Sequence, residues 1–162
     1  MRPGEILGLQ VSDLDLNRDC LWVRRRVYRS NIDSPKNERS VRQVALSLGT
    51  IALLELWLSE LANSAPDAWL FPTEAGNRPQ GRDNIWNKKM LPKLKPIAMV
   101  EWATFQVMRR SFATKAKEAG VDAHTRSAQM GNTVDVNENE YAVSNFPTRL
   151  AAIRKLEATF KK

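Results

Sequence analysis

Two residues with usable chemistry lie close together in the stretch Ala103–Thr114, which reads ATFQVMRRSFAT. On a helix that advances about 100° per residue, Arg109 falls on the same side as an apolar stripe that runs from Phe105 to Ala119. A guanidinium in an apolar interior needs a partner, because an unpaired buried charge is costly. The partner is either an internal carboxylate or an anion delivered from outside, for which the planar fork suits a phosphate. A third possibility is a charged head that reaches water while its stem covers the apolar face.

The two neighbours of Arg109 on this helix differ in what they can contribute. Gln106 lies three residues earlier on the adjacent flank, so both side chains can reach one site. Its neutral amide can donate a hydrogen bond but cannot supply or accept a proton at neutral pH. Arg110 is turned about 100° further round the helix, so we expect it at the surface.

The overall charge favours a polyanionic partner. Twenty-five Lys and Arg face eighteen Asp and Glu, a net charge of +7 in 162 residues. Such a domain is a candidate for binding a polyanion, because neutralised phosphates release counterions; a basic but inert surface is the alternative. The chain has neither an apolar run of the ~20 residues that a membrane span needs nor a signal-peptide pattern, so we expect a cytoplasmic protein without a membrane partner. With one cysteine, Cys20, and one histidine, His124, we expect no internal disulfide and no structural metal.

Hydrophobic periodicity predicts the elements that must position these residues. A short helix begins at Pro3, and residues 21–29 and 41–46 alternate as two strands around a polar loop at 31–40. Helices are expected at 48–63, 84–95 with a break at Pro92, 104–119, 122–130, 134–142 and 146–160. The prediction is one domain, residues 1–162, that is mainly α with a small antiparallel β-sheet near its N-terminus.

Four motifs occur in an order that resembles a known family. They are RPGEILGL at residues 2–9, SPKNERS at 34–40, TFQVMRRSFAT at 104–114 and MGN…NENEY at 130–141. Together they resemble the catalytic domain of the tyrosine recombinases, the phage integrase family. The resemblance implies the fold of that domain and site-specific recombination of double-stranded DNA, for integration or excision, without metal or nucleotide cofactor.

The resemblance also implies roles for individual residues. Arg2 and Arg109 correspond to the two arginines that clamp the scissile phosphate, and Glu5 to a residue that supports them. Lys36 corresponds to the hairpin lysine that protonates the leaving 5′ oxygen. Tyr141 corresponds to the nucleophile that forms a 3′-phosphotyrosyl link. Two guanidiniums suit such a step, because an in-line attack builds charge on the non-bridging oxygens.

Two positions depart from the family pattern. Gln106 stands where the family usually has His, and Asn132 where it usually has His or Trp. Both can donate a hydrogen bond to a phosphate oxygen, but neither can act as a general base, a role worth ~10²–10⁴ in rate. The alternative function is therefore a degenerate integrase fragment that binds DNA without turnover. A basic interaction domain with the same fold and no DNA role is a third reading.

The remaining expectations concern DNA contacts, assembly and the chain's extent. Arg24, Arg26 and Arg110 are candidate contacts to the DNA backbone. Residues 146–160 have apolar residues at helical spacing, which indicates either a helix packed on its own domain or self-association through that helix, as the family often shows. Family members usually carry a DNA-clamping domain before the first arginine, so the sequence is expected to be truncated at its N-terminus.

Overall fold

The computed structural model describes residues 1–28, 31–33, 41–97, 100, 102–131 and 146–160. The helices are α1 (Pro3–Leu7), α2 (Leu48–Glu60), α3 (Arg82–Asn84), α4 (Leu91–Leu94), α5 (Phe105–Glu118), α6 (Ala123–Met130) and α7 (Phe146–Phe160). The strands are β1 (Leu14–Asp15), β2 (Cys20–Val23), β3 (Arg26–Tyr28), β4 (Asn31–Asp33) and β5 (Arg42–Ala45). The predicted class, mainly α with a small antiparallel sheet near the N-terminus, is confirmed.

The main sheet has three antiparallel strands in the order β1-β2-β5, and its buried side chains form the larger core. Leu21 in the central strand lies opposite Leu14 on one side and Val44 on the other. The side chains of Leu9, Leu21, Val23, Val44, Leu46, Ile51 and Leu70 pack together in this core. The sheet therefore joins the N-terminal segment, α2 and the segment around Leu70 into one body.

The prediction of a single strand over residues 21–29 was wrong after Val23. In a strand, successive side chains point to opposite faces. Arg24 and Arg25 instead both donate to the carboxylate of Asp13, at 3.0 and 2.5 Å, so the backbone leaves the strand there. The arginine run is consequently not one basic face of a strand.

The chain resumes as β3, which pairs with β4 and not with the main sheet. Asn31–Asp33, predicted as loop, forms β4, with Val27 opposite Ile32. α1 lies so close to β3 that a Cβ on Gly4 would overlap the carbonyl oxygen of Val27. This contact is a structural reason for glycine in the RPGE motif.

The outer edge of β5 is covered by side chains from two helices. The amide of Gln129 on α6 accepts from the Ala45 N–H at 3.0 Å and donates to the Ala45 carbonyl at 2.6 Å. Arg149 on α7 donates to the Gln43 carbonyl at 2.7 Å. An uncovered strand edge would present unpaired backbone groups, so these bonds both complete the sheet and place α6 and α7 against it.

The helices of the C-terminal half largely agree with the predicted spans. α5 begins at a Thr104 cap, whose hydroxyl accepts from the Val107 N–H at 3.2 Å. The apolar stripe of α5 is buried at its C-terminal end, where Ala116 and Ala119 pack against Leu156 of α7. The span predicted for α7, 146–160, is confirmed, whereas the helix predicted at 134–142 lies outside the described residues.

Pro92 does not break the helix in which it lies. A π-helical turn, Ile85–Met90, joins α3 to α4, and Pro92 occupies the first turn of α4. The backbone stays helical across these junctions, and the widened π-helical turn immediately precedes the proline, which lacks an N–H and whose ring crowds the preceding turn. The prediction of a break was therefore wrong.

Within the described ranges, no helix is both long enough and apolar enough to span a membrane.

Candidate functional site

Glu5 is the acceptor around which the first arginines gather. It lies in the first turn of α1, where the backbone N–H of Arg2 donates to its Oε2 at 2.6 Å and Nη1 of Arg2 approaches Oε1 at 3.4 Å. Arg42 in β5 donates to both carboxylate oxygens, at 3.2 and 2.8 Å. The Glu5 side chain is only 7% exposed, whereas that of Arg2 is 57% exposed. Arg2 is therefore held by its backbone while its guanidinium still meets solvent.

The electrostatics of Glu5 reflect these partners. Burial acts to raise the pKa of its carboxyl, but the hydrogen bonds and charges of Arg42 and Arg2 outweigh burial, so the pKa lies below its ordinary value. Glu5 is accordingly an ionised acceptor at neutral pH. A carboxylate bound in this way orients cations and is poorly suited to transfer protons.

Arg109 reaches the same region from α5. It is half-buried, and its Nη2 donates to the carbonyl of Met130 at 2.6 Å. Arg42 donates to that same carbonyl at 3.3 Å. Met130 is the last residue of α6, where carbonyl groups carry the partial negative charge of the helix dipole. The internal partner thus includes a backbone carbonyl, which was not among the partners that the sequence suggested.

Three arginines therefore converge on one carboxylate and one carbonyl. The pKa of Arg109 is lowered, first by burial and then by the charge of Arg2, with Glu5 opposing and Arg42 adding to the effect. Three cations against one glutamate leave an excess of positive charge that favours an anion. We call this group, Arg2, Glu5, Arg42 and Arg109, the arginine cluster.

The other predicted site residues fall into two groups. Gln106 is exposed on α5, one turn before Arg109, and Arg110 is exposed as expected. Lys36, Asn132 and Tyr141 lie outside the described residues. The structure thus brings together Arg2, Glu5 and Arg109 of the predicted set.

Two of the candidate DNA contacts are bound to carboxylates of the same chain. Arg24 donates to Asp13 at 3.0 Å and to the Ser12 carbonyl at 3.3 Å, and Arg26 lies 3.3 Å from Asp33. Both side chains remain about half exposed. A DNA phosphate would have to share or displace these carboxylates.

Sequence reasoning missed Arg42. It lies in an alternating strand, where any arginine is expected to be a solvated charge. Its partners Glu5 and Met130 are separated from it by 37 and 88 residues, so no local pattern reveals these partners. Its side chain is 14% exposed. The alternation of β5 was the available signal, since it placed Arg42 and Val44 on one face of the strand.

In the part of the chain that the structure describes, no three His, Cys, Asp or Glu side chains are grouped as metal ligands would be. The arginine cluster lies at the junction of α1, β5, α5 and α6 and combines three guanidiniums with one carboxylate. Planar guanidinium groups suit phosphate-like anions.

Comparison with known proteins identifies the family. Residues 1–146 match the profile of the phage integrase family. The chain belongs to this family.

Relatives and solved structures agree with this assignment. A XerC-like tyrosine recombinase of Caldanaerobacter subterraneus subsp. tengcongensis is 26% identical, over 87% of this chain and 42% of its own length. The Tn1549 transposon integrase in complex with circular intermediate DNA superposes with a TM-score of 0.70 at 21% identity, covering 96% of this chain and 56% of the integrase chain. The same integrase bound to transposon right end DNA gives a TM-score of 0.69. The chain therefore spans about half of these proteins or less, and at this identity the structures establish a shared fold.

Proposed function

We propose that this chain is the catalytic domain of a tyrosine recombinase, which cuts and rejoins double-stranded DNA by site-specific recombination. The observation that carries the proposal is the arginine cluster. Arg2 and Arg109 are far apart in sequence and resemble the two arginines that clamp the scissile phosphate in the family. Both belong to one cluster with Glu5, which accepts from Arg2, while Arg109 donates to the Met130 carbonyl. The Tn1549 integrase that shares the fold was solved with DNA, which supports DNA as the partner.

In the proposed reaction the phenolic oxygen of Tyr141 attacks the scissile phosphorus and its proton passes to water, because neither Gln106 nor Asn132 can accept it. A tyrosyl O–P bond forms and the bond from phosphorus to the 5′ oxygen breaks. Lys36 gives a proton to the leaving 5′ oxygen, while Arg2 and Arg109 stabilise the charge on the non-bridging oxygens. Gln106 and Asn132 donate hydrogen bonds to the phosphate. Rejoining reverses these steps with a new 5′ hydroxyl.

A second candidate, a degenerate integrase that binds DNA without turnover, is favoured by Gln106 and Asn132. Neither amide can take the proton of the tyrosine hydroxyl at neutral pH. The lost proton transfer would lower the rate by ~10²–10⁴. Slow turnover and absence of turnover therefore have to be separated by experiment.

The test is covalent capture of DNA by the full chain. Because the target sequence is unknown, the probe is a pool of nicked duplexes with random sequence around the nick, from which protein-linked DNA is isolated on denaturing gels. A recombinase gives an adduct that is lost in Tyr141→Phe and grows faster in Gln106→His. Salt-sensitive binding without an adduct, even in Gln106→His, supports the degenerate integrase, and absence of salt-sensitive binding contradicts both.

We further propose that Arg24, Arg26 and Arg110 contact the DNA backbone and that the protein associates with the nucleoid. The excess positive charge of the chain supports both. Substituting each arginine by Gln should weaken binding of any duplex and reduce its salt dependence by about one counterion. Unchanged salt dependence of binding would show that the substituted arginine does not contact the DNA backbone.

Self-association through residues 146–160 is also proposed. α7 packs on its own chain by burying Leu156 against Ala116 and Ala119, and a second copy presents the same apolar site. Sedimentation at increasing protein concentration, with and without DNA, tests the exchange of this helix. A strictly monomeric protein under all these conditions would rule it out.

A further inference from the structure

We propose that Arg42 is a positioning residue for the phosphate site, because it fixes both the carboxylate that holds Arg2 and the carbonyl that holds Arg109. This inference rests on the proposed function. Arg42 is assigned no contact with the scissile phosphate and no part in proton transfer. Its effect is exerted through Arg2 and Arg109.

Arg42 holds the carboxylate of Glu5. The guanidinium presents Nη1 and Nη2 to the two carboxylate oxygens, at 3.2 and 2.8 Å, as a two-pronged pair. Glu5 in turn accepts from the backbone N–H of Arg2 at 2.6 Å. Rotation of the Glu5 carboxylate would therefore move Arg2, and the fork of Arg42 prevents that rotation. A lysine at this position would keep the charge and lose the fork.

Arg42 and Arg109 share the carbonyl of Met130. It accepts from Arg42 at 3.3 Å and from Arg109 at 2.6 Å. A carbonyl oxygen has two lone pairs and can serve both donors. Because both guanidiniums donate to one oxygen, Arg42 occupies part of the space around it and so restricts where the Arg109 guanidinium lies.

The backbone that follows Met130 lies against Arg42. Gly131 has φ +68°, in the left-handed region, and a Cβ there would overlap the guanidinium of Arg42. Arg42 therefore packs directly on the turn that ends α6. Gly131 immediately precedes Asn132, a proposed ligand of the phosphate.

Burial supports a role that depends on geometry. The Arg42 side chain is 14% exposed, and its Nε is buried without a hydrogen-bond partner among the described residues. An arginine that only supplied positive charge would not need its fork enclosed in this way. Water has little access to this position and cannot readily replace the hydrogen bonds of the guanidinium.

The experiment compares Arg42→Lys with Arg25→Lys in the full chain. Arg25 is a matched control, because it is 20% exposed and donates to the buried carboxylate of Asp13, outside the arginine cluster. The first probe is inorganic phosphate, with affinity measured from the rise in Tm at constant ionic strength against chloride. Loss of one well-placed charge-assisted hydrogen bond from the phosphate is expected to weaken its binding about tenfold in Arg42→Lys. Arg25→Lys should bind phosphate as the wild type does.

The second probe is the captured nicked duplex, followed in a single turnover at saturating protein. A structural role would lower the folded fraction and hence the amplitude of the adduct. A positioning role lowers the rate constant, here by about 100-fold because of misplacement of the phosphate ligands, and leaves the amplitude unchanged at saturating protein. A wild-type rate constant in Arg42→Lys would overturn the inference.

The two probes separate failure of this inference from failure of the proposed function. If the wild type forms no adduct, the proposed turnover fails and the phosphate measurement still decides the role of Arg42. Phosphate affinities that agree within twofold among wild type, Arg42→Lys and Arg25→Lys overturn the inference.

Discussion

Gln129 ties α6 to the outer edge of β5, and its replacement by Met should lower the free energy of unfolding by about 3 kcal/mol. Gln129 is 6% exposed and Ala45 is 3% exposed, so neither residue can form hydrogen bonds with water instead. The amide both accepts from the Ala45 N–H, at 3.0 Å, and donates to the Ala45 carbonyl, at 2.6 Å. Met keeps the length of the side chain and removes both bonds.

The magnitude follows from the two backbone groups that remain. A buried donor or acceptor that loses its partner costs about 1–3 kcal/mol, so the two together cost roughly 2–6 kcal/mol. Burial of the apolar methionine returns part of this, which gives the expected value of about 3 kcal/mol. With a urea m-value of about 2 kcal/mol/M, the unfolding midpoint should fall by about 1.5 M.

The assay is urea unfolding at pH 7, combined with hydrogen exchange of the Ala45 amide. That amide should exchange faster in Gln129→Met, because its acceptor is gone. Gln106→Met is the control, since it makes the same chemical change at an exposed helical position, where substitutions usually cost within about 0.5 kcal/mol. A loss below about 0.5 kcal/mol in Gln129→Met, with the Ala45 amide still protected, would refute the edge-pairing argument.

Three further predictions concern charge and backbone conformation. Because the pKa of Glu5 is depressed in the folded protein, Glu5→Gln should lower the free energy of unfolding by about 3 kcal/mol at pH 7. This difference from the wild type should shrink as the pH falls from the pKa of the carboxyl in the unfolded chain through its pKa in the folded protein. Parallel plots of stability against pH from pH 7 to pH 3 would contradict this. Asp13 is fully buried between two arginines, so Asp13→Asn should lower the free energy of unfolding by about 3 kcal/mol in urea unfolding. A change below about 1 kcal/mol would show that water replaces the lost carboxylate at both arginines. Gly131→Ala combines a positive φ with overlap of Arg42 and should lower Tm more than Gly76→Ala, where φ is +75° and the space is open; equal shifts would remove the overlap as a cause.

Local pattern was sufficient for most helices. The span of α7 was predicted to the residue, and that of α5 to within one residue, because amphipathic periodicity and capping residues act over neighbouring turns. The strand prediction failed at Arg24 and Arg25, whose shared contact with Asp13 is made over 11 and 12 residues. Alternation along a strand carries no information about such a contact.

The candidate site divides in the same way. The sequence by itself determined the family, through ordered motifs, and with it the pairing of Arg2 with Arg109 and the departure at Gln106. Only the tertiary structure decided that Arg42 joins them, that Glu5 accepts from both Arg2 and Arg42, and that Met130 supplies an internal acceptor for Arg109. An arginine has the same local signature whether it is solvated or buried, and its environment depends on which distant carboxylate or carbonyl the fold brings within hydrogen-bond distance.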